Sequence, residues 1–207
     1  MARRPLQKLV RLDLRRPIWD RFYWVAPLAV IGTLDPDGRP DFAPKHMITP
    51  MGWQNFFGFV CTPRHATYAN AVREGAFTVS MPRPDQVVIA SLCAAPPCGA
   101  EAEDTPARPE IETLQTRAAT RVKGHLLSQS AVFLECETHK VVDGFGDNSL
   151  VTGRIVAAHV AADALRTLER NGQDVIGAAP LLAYLHPDRF ARVEHSFSFP
   201  FPSGFRR

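Results

Sequence analysis

Apolar residues along this chain fall in short runs separated by turn-forming residues, which is strand-like spacing rather than the long 3.6-residue periodicity of a helical bundle. Residues 27–34, Pro-Leu-Ala-Val-Ile-Gly-Thr-Leu, end at Asp35-Pro36-Asp37-Gly38, and Arg39 to Ala43 resume in extended style, so a β-hairpin is expected. Residues 53–61 form a second, aromatic-rich strand. Thr62 is placed to cap a helix from Arg64 to Glu74, with Pro63 in its first turn and Gly75 closing it. Phe77 to Met81 alternate as a strand. Pro84 opens a second helix, Asp85 to Ala94, with Val87, Val88, Ser91 and Leu92 at helical spacing. Residues 95–110, rich in proline and carboxylates, read as a loop or a loop with one helical turn. Two β-branched strands, 131–142 and 148–160, flank a turn at Asp143 to Asn148. The stretch 163–185 reads as irregular to helical, and Arg189 to Glu194 as a last strand. Closely spaced strands with two helices predict a mainly β fold: a Greek-key-like antiparallel barrel with flanking helices, not a doubly wound sheet.

Composition narrows the function more than the fold. The chain has 207 residues, 45% hydrophobic and 22% charged, which suits a single globular domain. A net charge of +3 with dispersed basic residues gives no nucleic-acid footprint. The basic N-terminal stretch lacks the apolar run of a signal peptide, and no segment approaches the roughly 20 apolar residues of a membrane span. A cytoplasmic location and no membrane partner are therefore expected. Cys61, Cys93, Cys98 and Cys136 contain no Cys-x-x-Cys pair, and no disulfide framework is expected.

Two segments carry candidate chemistry. Cys61-Thr62-Pro63-Arg64-His65-Ala66-Thr67 marks a helix start, where the first N–H groups lack intrahelical partners and the positive end of the helix dipole favours an anion. Arg64 adds a fork of donors, Thr67 a hydroxyl, His65 a ring nitrogen, and Ala66 leaves room for close approach. A plain capped surface helix accounts for the same residues equally well. The second segment, Phe42-Ala43-Pro44-Lys45-His46-Met47-Ile48-Thr49-Pro50, sets cationic and apolar residues between prolines. Lys45 and His46 could face an electron-rich ring edge, or could be a solvated edge residue and a packing residue. Metal binding is not expected. Cys136 and His139 stand an odd number apart on one strand and so point to opposite faces, and Cys93-x4-Cys98 has no matching partner pair. Asp143 and Asp147 fit a hairpin turn and no calcium loop.

Taken in order, these segments resemble the flavin reductase-like family. The resemblance runs from about Trp24 to Val193. It rests on Leu28 to Thr33 with Asp35-Pro36-Asp37-Gly38-Arg39-Pro40, on Ala43-Pro44, on Arg64-His65-Ala66-Thr67 with Asn70, and on Glu74 to Val79. Phe133 to Cys136 and Leu150 to Val156 continue it. It implies an FMN-binding split β-barrel, with a core at about 20–195, and a homodimer holding the flavin near its interface. FMN is favoured over FAD, with NADH, NADPH or a protein as electron donor and a monooxygenase or redox protein as possible partner. Carried onto this chain, Lys45, His46, Met47, Ile48 and Thr49 flank the ring. Cys61, Thr62, Arg64, His65, Ala66 and Thr67 lie at the phosphate. His46 stands where many relatives have Ser, and Thr49 where many have Asn. The resemblance assigns no catalytic residue. It leaves open a reductase, an electron carrier or flavoenzyme with its own organic substrate, and a non-catalytic ligand-binding barrel. Beyond Ser196, Phe197, Phe199, Phe201 and Phe205 make an unusually aromatic tail, expected either over a dimer seam or pocket mouth or on the barrel itself.

Overall fold

The computed structural model describes residues 8–94, 114–202 and 204. Its largest sheet runs β3 (Pro40–Lys45), β2 (Ala29–Leu34), β6 (Ala76–Met81), β9 (Val132–Phe145), β10 (Asn148–Val160), β5 (Phe56–Cys61) and β4 (Ile48–Pro50), in that spatial order. Every pairing in it is antiparallel, and the sheet curls into a half-barrel. A smaller sheet joins β1 (Trp24–Pro27), β11 (Leu181–His186) and β12 (Arg189–Val193). A short hairpin pairs β7 (Thr116–Ala118) with β8 (His125–Leu127). The helices are α1 (Ala66–Glu74), α2 (Val87–Leu92) and α3 (Gly172–Ala178).

Strand alternation builds the core. Phe57, Phe59 and Cys61 on β5, Phe77 and Val79 on β6, and Ala29 and Ile31 on β2 all point into one buried cluster with Cys136 and Val151. Val30 points the other way, into a second cluster with Phe42, Ala90, Cys93 and Leu127. Both faces of β2 are therefore covered, which explains a continuous apolar run where a half-exposed strand would alternate. Close packing shows at Gly153 on β10. A Cβ there would stand 2.6 Å from the Phe77 ring and 2.9 Å from the Cys136 Cβ. Gly153→Ala should cost about 1–3 kcal/mol through overpacking, read as a lowered midpoint in thermal unfolding.

The expected hairpin forms. Asp35 ties it with a carboxylate oxygen that accepts from the Asp37 and Arg39 N–H groups at 2.9 and 2.7 Å. Several boundaries differ from the sequence expectation. The aromatic strand begins at Phe56 rather than residue 53. The second helix divides into a 3-10 turn, Pro84–Gln86, followed by α2. The strand expected over 131–142 runs on to Phe145. The stretch 163–185 holds α3 and then β11, whose Leu-Leu-Ala-Tyr-Leu-His carries no clear alternation and pairs with β1 on one edge and β12 on the other. The loop expected at 95–110 lies outside the described residues, as does Cys98. None of the described helices is long and apolar enough to cross a membrane.

Candidate functional site

A slot of about 470 Å³ opens between the two larger sheets, a size within the roughly 300–1,000 Å³ range of small-molecule sites. Its barrel wall is Ile48, Thr49, Gly58, Val60 and Leu150, brought level by the pairings Thr49↔Gly58 and Val60↔Leu150. Gly58 keeps that wall flat, since a Cβ there would meet Met51 Sδ at 3.1 Å and Leu150 Cδ1 at 3.2 Å. The opposite wall comes from the small sheet, through Trp24 to Pro27 and His186, with Trp19 beside them. His46 and Met47 close one end.

β5 shows Gly58 and Val60 to the slot and ends at Cys61, one residue before Thr62. There a second depression of about 220 Å³ is lined by Thr62, Pro63, Arg64 and the β9–β10 turn from Asp143 to Ser149. The expected helix start needs correction at this point. The Arg64 N–H donates to Thr62 Oγ1 at 3.4 Å, and the His65 N–H to the Thr62 carbonyl at 3.0 Å. These bonds close a turn over 62–65, so Thr62 and Pro63 precede the helix. His65, in extended conformation, is the N-cap and its side chain makes no cap bond. The first turn of α1 contains no acidic residue, and Gly75 ends the helix in the left-handed conformation with φ 64°.

Side chains link the two candidate segments. Lys45 Nζ lies 3.3 Å from His65 Nδ1, and Cys61 Sγ lies 3.8 Å from the same nitrogen. Burial first, and then the Lys45 charge, lower the pKa of His65 from its ordinary value, while Asp41 opposes them. Cys61, Thr62 and Thr67 are buried, His65 is half-buried, and Arg64 and Ala66 are exposed. Arg64 approaches Asp147 at 3.8 Å; both side chains are largely solvated, so the pair is weak.

His46 sits in a cluster that the sequence did not disclose. Its ring lies 4.8 Å from Tyr184 and 5.2 Å from His186, the latter nearly parallel at 24°. His46 Nε2 and His186 Nδ1 are buried without a hydrogen-bond partner. Burial, His186 and Lys45 all disfavour the charged imidazolium of His46 and lower its pKa. Among the described residues no group of His, Cys, Asp and Glu could hold a metal ion. Cys136 is fully buried, with its thiol pKa pushed up to about 12 by burial and then by Glu135.

The family described as flavin reductase like domain matches residues 23–191. The chain belongs to the flavin reductase-like family. Comparison with curated protein sequences finds no match. Among solved structures, the fold is similar to a split-barrel protein of Shewanella frigidimarina assigned as a flavin reductase. The TM-score is 0.70 at 15% identity, covering 86% of this chain and 87% of that one. An NADH:FAD oxidoreductase of Streptomyces globisporus gives 0.67 at 16% identity, over 91% and 98%. A 2-nitrobenzoate 2-nitroreductase of Pseudomonas fluorescens gives 0.72 at 17% identity, over 88% and 87%. The mainly β split barrel expected from the sequence is thus the fold of this flavin reductase-like chain. The structure brings Lys45, Cys61 and His65 together and puts His46, Met47, Ile48 and Thr49 on the slot. Trp19, Trp24, Tyr184 and His186 were not singled out in the sequence. Strand pairing sets Trp24 opposite His186 on the slot, the 3-10 turn Trp19–Arg21 brings Trp19 beside them, and Tyr184 stands behind His46 rather than on the slot.

Proposed function

We propose that this protein is an FMN-dependent oxidoreductase of the flavin reductase type, reduced by NADH or NADPH. One observation carries the reading. The apolar slot runs along alternate residues of β5 toward the turn at Thr62 to Arg64, just ahead of α1, whose start lacks both a side-chain cap and an acidic first turn. A planar ring joined to a phosphate matches that sequence of environments.

The residues present fit a flavin. Gly58 carries no side chain into the slot wall, and the rest of the lining is mainly aliphatic and aromatic, which suits a planar ring. Lys45 to Thr49 flank the ring, with the Lys45 ammonium compensating negative charge at its polar edge. Arg64 and the N–H groups at Ala66 and Thr67 take the phosphate, with Thr62, His65 and Cys61 shaping the turn behind it. Asp143 and Asp147 face the same depression. They oppose any phosphate there, and two phosphates more than one, which favours FMN over FAD. When bound, the flavin supplies the centre that accepts and passes on two electrons.

The chain is read as one cytoplasmic domain that works as a homodimer. Exposed aromatic residues support the dimer: Trp53 at 96%, Phe197 at 97% and Phe199 at 71%. A monooxygenase or other redox protein would then consume the reduced flavin. Purified protein should be yellow or take up FMN, and NADH or NADPH should bleach it, with turnover when oxygen or free flavin is supplied. Protein that stays colourless after incubation with FMN would overturn the proposal.

A specific observation also favours an enzyme with its own organic substrate. The His46–His186 pair and the two tryptophans make the small-sheet wall more elaborate than flavin binding alone requires.

A further inference from the structure

The two walls of the slot differ in chemistry. The barrel wall is smooth and aliphatic and leads to the phosphate turn. The small-sheet wall presents half-exposed Trp19 and Trp24, packed edge to face at 6.0 Å. At the end that both walls share stands His46, stacked on His186 and backed by Tyr184, whose hydroxyl donates to the Pro187 carbonyl. Four of these five rings, Trp19, Trp24, His46 and His186, therefore line the cavity from three separate stretches of chain, with Tyr184 behind His46.

We propose that this wall is the subsite of a planar, apolar organic acceptor of the quinone type, and that His46, positioned by His186, donates the proton such an acceptor needs. The inference rests on the flavin reading above and names the substrate class of that site. The aromatic faces suit a flat ring, which would lie against them with its other side toward the barrel wall. Ring contacts with His186, stacked, and with Tyr184, tilted, restrict the orientation of the His46 imidazole, so its donor is held rather than mobile. A buried ring nitrogen with no partner is uncommon in a folded protein, and two such nitrogens in adjacent rings mark a polar demand that an acceptor's carbonyl oxygen would meet.

The electrons and protons balance without a further reagent. A quinone gains a hydride from the reduced flavin and a proton from His46, its two carbonyl π bonds give way to two O–H bonds, and it leaves as the hydroquinone. His46 regains its proton from solvent by way of the cluster, and the nicotinamide donor restores the reduced flavin. Lys45, His186, Tyr184, Asp188 and Arg189 surround His46 from its own loop, from β11 and from the turn into β12. Burial first, then His186 and Lys45, disfavour the His46 imidazolium and lower its pKa, which makes it a readier proton donor once charged. Quinone reduction should therefore speed up as pH falls toward the lowered pKa of His46.

Menadione and ferricyanide test the idea, because the first takes up protons with its electrons and the second takes electrons alone. In flavin-loaded protein, His46→Gln should lower the menadione-to-ferricyanide rate ratio roughly a hundredfold, within the usual range for losing a general acid. It should also flatten the rise of that ratio at low pH. His186→Asn should lower the ratio roughly tenfold and shift the profile, through the orientation of His46. In flavin-free protein, menadione should quench tryptophan fluorescence saturably, and Trp24→Ala should abolish the saturation. An unchanged ratio and pH profile in both histidine variants, with flavin still bound, overturns this inference and leaves the flavin reading intact. Failure to bind flavin removes both. Non-saturating quenching that Trp24→Ala does not alter overturns the acceptor subsite on its own. If His46→Gln fails to fold, the His186→Asn ratio and the quenching titration decide.

Discussion

Replacing Glu135 by alanine should lower the unfolding free energy by about 2–4 kcal/mol, or roughly 5–15 °C in a chain of this size. Glu135 sits on β9 with no exposed surface, a costly place for a carboxylate. Its oxygens accept hydrogen bonds from the backbone N–H groups of Thr120, Arg121 and Val122 at 2.5 to 3.2 Å, and from the Thr120 hydroxyl at 2.9 Å. The carboxylate thereby pins the β7–β8 turn onto the barrel. Alanine would leave several donors unpaired and a gap beneath them. Burial raises the pKa of this group, but the hydrogen bonds from Thr120, Arg121 and Val122 outweigh burial, and the net shift is downward. The sign of the pH dependence follows. A carboxyl that is more acidic folded than unfolded stabilises fully above its unfolded pKa, about 4.3, and this contribution disappears as pH falls through the folded value. Wild type should therefore lose stability below about pH 4 more steeply than Glu135→Gln. Chemical denaturation at a series of pH values reads that difference, and parallel curves would refute it.

Glu135 also shows where sequence reading stops. On β9, Cys136 points into the core cluster, and strand alternation leaves Glu135 on the other face, where solvent is the default. In the structure the β7–β8 turn folds over that face and buries it. Nothing local to Phe-Leu-Glu-Cys announces a cover supplied by residues 120–122. The same limit hid the histidine cluster. The bend between β3 and β4 sets His46 against His186 at the end of β11, which pairs with β1, and β11 itself has an apolar run with no strand alternation to reveal it. Features set by local chemistry were legible. Asp35-Pro36-Asp37-Gly38 closed a hairpin, Gly75 ended a helix, and the spacing of strands gave the barrel. The start of α1 falls between these cases. Thr-Pro-Arg-His is as compatible with a turn as with a first helical turn, and the two Thr62 bonds decide it for the turn.

The turn leads to the second large effect. Arg64→Ala should weaken FMN binding by tenfold or more, in line with about 1.5–3 kcal/mol for a hydrogen bond to a charged group, while riboflavin binding stays nearly unchanged. The comparison isolates the phosphate, because the two ligands share the ring and the ribityl chain. Arg64 is suited to the role since its side chain is 66% exposed and faces the depression beyond Thr62. Its loss should also spare the fold, as its ion pair with Asp147 spans 3.8 Å between solvated groups. That pair supplies an internal control. A phosphate arriving at Arg64 must compete with the Asp147 carboxylate, so Asp147→Asn should tighten FMN severalfold and leave riboflavin alone. Quenching of flavin fluorescence on titration with each protein gives both affinities. Equal losses for FMN and riboflavin in Arg64→Ala would mean that Arg64 supports the ring or the fold. Unchanged FMN affinity would put the phosphate elsewhere, and with it the path along β5 on which the cofactor assignment depends.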